Sequence, residues 1–211
     1  MNKSFIINML KEILPPVFEA EDARTLLSSH YRAPLKVLSA MEQEHKVLRL
    51  KRGTYAFVDG FDPLAAASLL HGPSYVSFET ALSYYGMIPE RGEQILSVVD
   101  GRATSYHTSV AHYIYHSQHR ALFARGMTLE VRAHDTLAIA NPEKALLDTL
   151  SRAKLQAAPS SPSQILEYVI DGLRVDEDAL ARLSLKKIRE MATLYRNHAP
   201  MKLAESLASF C

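Results

Sequence analysis

Cysteine, tryptophan and glycine are scarce in this chain: one, none and eight among 211 residues. The single cysteine, Cys211, excludes an intrachain disulfide framework and any cysteine-based zinc finger, and it fits a reducing compartment. The few glycines never form a Gly-x-x-x-x-Gly-Lys-Ser/Thr loop, a Gly-x-Gly-x-x-Gly turn or a Gly-x-Ser-x-Gly elbow, and no His-Glu-x-x-His is present. These absences lead us to expect a non-enzyme without a cofactor. Long apolar runs are missing too, since Lys, Glu or Arg interrupts every stretch before the roughly 18 residues a membrane helix needs. The amino terminus has no signal-peptide apolar region or small-residue cleavage site. The expectation is a cytoplasmic, globular protein with no membrane contact, and 47% hydrophobic with 22% charged residues is enough to build a core.

A surplus of charge is also lacking, the net value being +1, but the average conceals an uneven distribution. Residues 1–58 carry nine Lys/Arg against six Asp/Glu, residues 59–150 six against ten, and residues 151–211 nine against seven. Positions 24–52 hold Arg24, Arg32, Lys36, Lys46, Arg49, Lys51 and Arg52 against Glu42 and Glu44 alone. An anion would bind there.

Phe5, Ile6, Met9, Leu10, Ile13 and Leu14 form one apolar stripe of a first helix, which Pro15-Pro16 stops. A second helix begins at the acidic run Glu19–Asp22, suited to a helix amino terminus, and continues to Leu27. Pro34 opens a third, to Glu44. At helical spacing, Pro34, Leu35, Val37, Leu38 and Met41 occupy the sector expected to face a core. Lys36, Ser39 and Gln43, with Arg32 if the helical turn reaches back that far, gather in another narrow sector, and such side chains read phosphates and base edges. Periodicity alone equally describes the solvated face of an amphipathic helix.

The segment Val47–Val58 alternates Leu48 and Leu50 with Arg49 and Lys51, turns at Arg52-Gly53, and returns through Tyr55 and Phe57. This predicts a β-hairpin with one face on the helices and Arg49, Lys51 and Arg52 on the opposite face and tip. Edge-strand protection by Lys and Arg would leave the same pattern. Three helices followed by a basic hairpin is the layout of a winged helix-turn-helix, whose third helix enters the major groove. The predicted DNA-binding residues are therefore Arg32, Lys36, Ser39, Gln43, Arg49, Lys51 and Arg52.

Asp59-Gly60-Phe61-Asp62-Pro63 predicts a domain boundary near residue 60, followed by an apolar helix over Leu64–Leu70. Ser77 is the expected N-cap of the next helix and Gly86 its C′ residue. Residues 94–140 turn β-rich in the runs Ile95–Val99, Tyr113–Tyr115, Met127–Val131 and Leu137–Ile139, which predict a small, mostly antiparallel sheet. Asn141 caps a helix with Pro142 at its first position, running through Leu150. Ala157–Pro162 reads as a connector, and the remaining tail is helical. The fold class expected is α+β: a winged helix-turn-helix over 1–58, a mixed α/β domain over 60–155, and a helical tail over 156–211 that completes the second domain or forms an interface.

His107, His112, His116 and His119 fall within thirteen residues. They interleave with Tyr106, Tyr113 and Tyr115, and alternation would divide them between two faces, so no metal site is expected. Glu79, Glu143 and Asp148 fit helix-start charges or an exposed helix face, with no nucleophile beside them. Tyr84-Tyr85 is either a partner-binding patch or part of a core.

Three segments stand in an order that carries a resemblance: Leu50-Lys-Arg-Gly-Thr-Tyr55, Ser74-Tyr-Val-Ser-Phe-Glu-Thr-Ala-Leu-Ser-Tyr-Tyr-Gly86 and Asn141-Pro-Glu-Lys-Ala-Leu-Leu-Asp148. Through most of residues 5–150 the chain resembles the AbiEi antitoxins of type IV toxin–antitoxin systems, abortive-infection regulators of phage defence. The resemblance implies an amino-terminal winged helix-turn-helix that represses its own operon by binding double-stranded promoter DNA. It further implies a carboxy-terminal domain that counteracts a cognate nucleotidyltransferase-like toxin. It transfers no toxin-binding residues. A two-fold symmetric operator would require two copies on DNA. The competing reading is a protein-interaction module whose winged helix does not bind DNA.

Overall fold

The computed structural model describes residues 3–89, 92–153 and 161–210. Its first sixty residues form three helices and a three-stranded antiparallel sheet, in the order α1 (Lys3–Ile13), β1 (Val17–Glu19), α2 (Ala20–Ser28), α3 (Pro34–Gln43), β2 (Val47–Lys51) and β3 (Thr54–Phe57). The sheet order is β1-β3-β2, so the strand before α2 closes against the hairpin that follows α3. Strand β1 was not anticipated. Three residues between a Pro-Pro stop and an acidic helix start are too few to show an alternating period.

Ile6 and Leu10 of α1, Ala23 and Leu27 of α2, and Leu38 and Met41 of α3 pack on Phe18, Val47, Tyr55 and Phe57. This core holds no charge. Leu35 departs from the expected apolar sector, being 50% exposed. It lies in the first turn of α3.

The hairpin also differs from expectation. Tyr55 and Phe57 do face the helices, but Leu50 and Ala56 pack with Val17 into the larger core of the following segment, and Leu48 lies against that core. All four residues of β3 are therefore buried. The registers explain this: Val17, Ala56 and Leu48 are cross-strand neighbours on one face, while Phe18, Tyr55 and Arg49 share the other. Both faces of a central strand can be covered, and the one turned from the helices is covered by the rest of the chain.

That remainder holds α4 (Pro63–Leu70), β4 (Ser74–Val76), α5 (Phe78–Tyr84), β5 (Gln94–Val99), β6 (Thr104–His107), β7 (His112–Ser117), α6 (Arg120–Phe123), β8 (Met127–Val131), β9 (Thr136–Ala140) and α7 (Pro142–Arg152). The tail adds α8 (Pro162–Glu167), a π-helical turn over Tyr168–Gly172, α9 (Glu177–Ala181), α10 (Leu185–Ala192) and α11 (Ala199–Phe210). The connector expected over 157–162 lies mostly outside the described residues. Ile165, Val169, Leu180, Ile188, Leu203 and Leu207 of the tail share one core with the sheet.

The second sheet is six-stranded and mixed, in the order β6-β7-β5-β4-β9-β8. The small, mostly antiparallel sheet read from the sequence holds for three of the five pairings, but the sheet is larger than read and two of its pairings are parallel. Antiparallel and parallel pairings alternate across it, β7–β5 and β4–β9 being parallel. Strands β4 and β6 went unread because Ser74–Val76 is short and Thr104–His107 lacks a clear apolar period. The described residues thus form a mixed α/β structure with two sheets. Among the described residues no helix is long and apolar enough to cross a membrane.

Candidate nucleic-acid interface

Helix α3 is held by Pro34 in its first turn and by Leu38 and Met41 against the sheet. Its opposite face carries Leu35, Lys36, Ser39 and Gln43, all exposed. These positions lie along one side of a helix. Three of the four expected polar residues are therefore brought together on one stripe, and Leu35, which sequence reasoning had assigned to the core, joins them; Arg32 is exposed but precedes Ala33, an N-cap with non-helical backbone (φ −130°, ψ 69°), so helical spacing does not carry it onto the stripe.

The three hairpin cations separate. Arg49 is exposed opposite Tyr55 on outer strand β2, and Arg52 is exposed at the turn where Gly53 takes φ +88°. Between Arg49 and Lys51 the register shifts. That irregularity turns Lys51 inward, where its ammonium donates to the Leu70 carbonyl at 2.5 Å and lies 5.7 Å from the Tyr106 ring centre. Half-buried and engaged, Lys51 fastens the hairpin to the six-stranded half, so the tip offers Arg52 and the strand offers Arg49.

The buried polar residues of the second half tell a different story from the sequence. Asp148, read there as a helix-face charge, is fully buried, as is Lys144 one turn earlier in α7. Lys144 Nζ donates to Asp148 Oδ1 at 2.5 Å, Gln118 Oε1 at 2.8 Å and Tyr195 OH at 2.9 Å, which uses all three of its protons. Asp148 Oδ1 also accepts from Tyr195 OH at 2.6 Å and Gln118 Nε2 at 2.6 Å, and Oδ2 accepts from Ser77 Oγ at 2.7 Å. Tyr75 OH donates to Gln118 Oε1 at 3.2 Å. Burial lowers the Lys144 pKa, with the Asp148 charge opposing that shift, and burial raises those of Tyr75 and Tyr195.

This hub changes two local readings. Ser77 does occupy the N-cap of α5, but its hydroxyl serves Asp148 and makes no cap bond. Asn141 caps α7 as expected, accepting from Lys144 N. Glu143 is buried at the start of α7 and accepts from Ser184 N at 3.1 Å, while Glu79 remains exposed. The available signal was the pairing of Lys144 and Asp148 four residues apart around Ala145-Leu146-Leu147. What hid it was that every residue from Glu143 to Leu150 is buried, so α7 has no solvent face to betray its period.

His107 and His112 are cross-strand partners with stacked rings, 3.6 Å between centres. The register places His107, His112 and His116 on one face of the sheet and Tyr106, Tyr113 and Tyr115 on the other, contrary to the expected division of the histidines. His119 instead caps α6, accepting from Ala121 N. Among the described residues no group of three or more His, Cys, Asp or Glu could hold a metal ion. Burial, and secondarily the Arg152 guanidinium, pulls the His116 pKa down to about 4. Tyr84 and Tyr85 meet edge to face, half-buried, and the Tyr84 hydroxyl donates to Glu130 at 2.6 Å.

The chain matches no protein-family model and no curated protein.

Proposed function

We propose that the chain is a cytoplasmic, DNA-binding transcriptional repressor and antitoxin of a type IV toxin–antitoxin system. In this reading it represses its own promoter and counteracts a nucleotidyltransferase-like toxin. The observation that carries the DNA-binding half is the exposed stripe Lys36, Ser39 and Gln43 on the third helix, together with exposed Arg32 ahead of it and Arg49 and Arg52 of the hairpin. The order helix, strand, helix, helix, strand, strand supports a winged helix-turn-helix, in which the stripe enters the major groove and Arg49 and Arg52 touch phosphates beside it. Leu35 within the stripe suits apolar contact with a thymine methyl group. Lys51 drops out of the DNA-contacting set and becomes a structural tie. The antitoxin half rests on the resemblance through the Ser74–Gly86 and Asn141–Asp148 segments.

Fluorescence anisotropy on the DNA upstream of the gene, against a scrambled duplex across a salt series, tests the repressor half. Tighter binding to the upstream duplex is expected, with log affinity falling linearly in log salt. The slope is about −3 to −4 per copy if Arg32, Lys36, Arg49 and Arg52 each neutralise a phosphate. The double substitution Lys36→Glu/Arg52→Glu should weaken it strongly, and an unchanged affinity would sink this DNA face. The same full-length variant should still rescue cells from the neighbouring toxin, because neither side chain belongs to the second half.

The exposed Leu35 also favours a second reading, in which the stripe docks a protein. No binding, or equal, salt-sensitive binding to both duplexes, would select that reading.

A further inference from the structure

A groove of about 670 Å³ is lined by the alternate residues Met127, Leu129 and Val131 of β8, by Leu69 of α4 and by Val17 of β1. Its walls are apolar and reach solvent, Leu69, Leu129 and Val131 being 54%, 58% and 83% exposed. A cavity of that size suits a small molecule. Two polar atoms in its lining residues are buried and have no hydrogen-bond partner among the described residues: Ser74 Oγ, on a residue only 7% exposed, and Asp135 Oδ1. Buried polar atoms are nearly always paired, so each calls for a partner.

The two atoms mark opposite ends of the groove. Asp135 directly precedes Thr136, which pairs with Val131 at the end of β8. Ser74 adjoins Tyr75, whose ring lies 5.2 Å from that of Phe123, the last residue of α6 and just ahead of the start of β8. From Met127 to Val131 a strand advances about 13 Å. The groove is therefore long and apolar with a polar atom at each end. Charge decides what suits the Asp135 end. Arg132 also lines it, but is bound to Asp62 and Tyr84 and lies 3.7 Å from Glu130, while His134 is exposed. Asp62 and Arg132 neutralise one another, which leaves the Asp135 carboxylate without a counter-charge.

We infer that this groove binds an elongated, apolar amine that carries a neutral hydrogen-bonding group at its far end. The ammonium donates to Asp135 Oδ1, the chain lies on Leu69, Leu129 and Val131, and the far group pairs with Ser74 Oγ. An ammonium against a carboxylate makes a charge-assisted hydrogen bond, whereas an anionic head would be repelled. A second charge at the Ser74 end would lose its hydration without gaining a counter-ion.

An NMR titration of the full chain with 8-aminooctan-1-ol tests the site independently of any DNA-binding reading. The backbone amides of Leu129, Val131 and Asp135 should shift saturably, with a dissociation constant of about 1 mM or tighter. Octylamine, which lacks the hydroxyl, and 1,8-octanediol, which lacks the charge, should each bind at least threefold more weakly, and 8-hydroxyoctanoate should not bind. Asp135→Asn should weaken both amines at least fivefold and leave the diol unmoved. Ser74→Ala should bring the aminoalcohol to the affinity of octylamine and leave octylamine itself unmoved. Neither substitution should lower the melting temperature of the free protein, since both atoms are unpartnered there. Val131→Lys, at an exposed position beside Asp135, supplies a further variant, which should abolish amine binding at an unchanged melting temperature. No saturable shift at those amides, equal binding of 8-hydroxyoctanoate, or amine binding that ignores Asp135→Asn would overturn the proposal. An aminoalcohol affinity that ignores Ser74→Ala would overturn the assignment of the far end.

Discussion

The two halves of this protein bury their helices on sheets by opposite electrostatic means. In the first, Ile6, Leu10, Leu27, Leu38, Phe18 and Phe57 make a core without a charge, and the cations all lie outside it. In the second, a lysine and an aspartate sit fully buried among Leu146, Leu147 and Leu150, with Ser77, Gln118 and Tyr195 gathered around them. A dry core tolerates any residue of similar size and polarity, whereas a buried ion pair demands particular partners in particular places. The hub joins α5, the turn after β7, helix α7 and the segment after α10, elements far apart in sequence. It therefore specifies which pieces meet, beyond what apolar burial alone would select.

Substitutions can break this contrast, the largest effect being expected at the hub. Lys144→Met should cost about 3 to 5 kcal/mol, because it strands the Asp148 charge at a fully buried position. Urea unfolding would measure it, and the double substitution Lys144→Met/Asp148→Leu should cost clearly less than the sum of the two single changes. In the first half, Leu10→Ala should cost about 3 kcal/mol by opening a cavity, with no such coupling to a neighbouring position.

Gly126 sharpens the comparison at the margin of the hub. It takes φ +71°, and a Cβ there would stand 2.8 Å from both Lys144 Cβ and Met191 Sδ. Gly126→Ala should destabilise by about 2 kcal/mol through backbone strain and overpacking, read as a lower denaturation midpoint.

Acid stability gives a smaller effect. The unfolded chain takes up a proton at His116 as the pH falls below about 6.5. In the folded protein the ring stays neutral down to about pH 4, held there by burial and by Arg152. The stability linked to His116 is thus full above pH 6.5 and is lost as the pH falls from there to 4. Because the ring is only partly buried, solvent screening reduces this to about 1 kcal/mol. Thermal melts of His116→Asn should flatten that part of the pH profile. Lys36→Glu and Arg52→Glu, by contrast, should change stability by less than about 0.5 kcal/mol, as expected for exposed positions.

Much of the first half was legible from sequence because its signals are local. The Pro15-Pro16 stop, Pro34 at a helix start and the Arg52-Gly53 turn each act within a few residues, and the structure has α1, α3 and the β2–β3 hairpin at those places. The stripe Lys36, Ser39 and Gln43 follows from helical spacing alone, whereas Arg32 lies ahead of the N-cap and outside that spacing. Lys51 was misread because its neighbour, the Leu70 carbonyl, is nineteen residues away and a register irregularity turns the side chain. Leu48 and Leu50 were given to the wrong core for a similar reason: alternation shows that two faces differ, but not what lies against each.

The sequence by itself determined the starts of α1, α3 and the β2–β3 hairpin, the capping of α7 by Asn141, the exposed polar face of α3 and the absence of a membrane-length apolar run. Those are properties of residues within about one turn of each other, where spacing and backbone sterics decide. Only the tertiary structure decided the strand order of the mixed sheet, the contact of the hairpin with the second half, and the meeting of Ser77, Gln118, Lys144, Asp148 and Tyr195. The Ser77 hydroxyl and the Asp148 carboxylate lie 71 positions apart, and burial alone makes their bond worth its geometry. In water each of those groups would be satisfied by solvent. Once the apolar residues around them close, they have only one another.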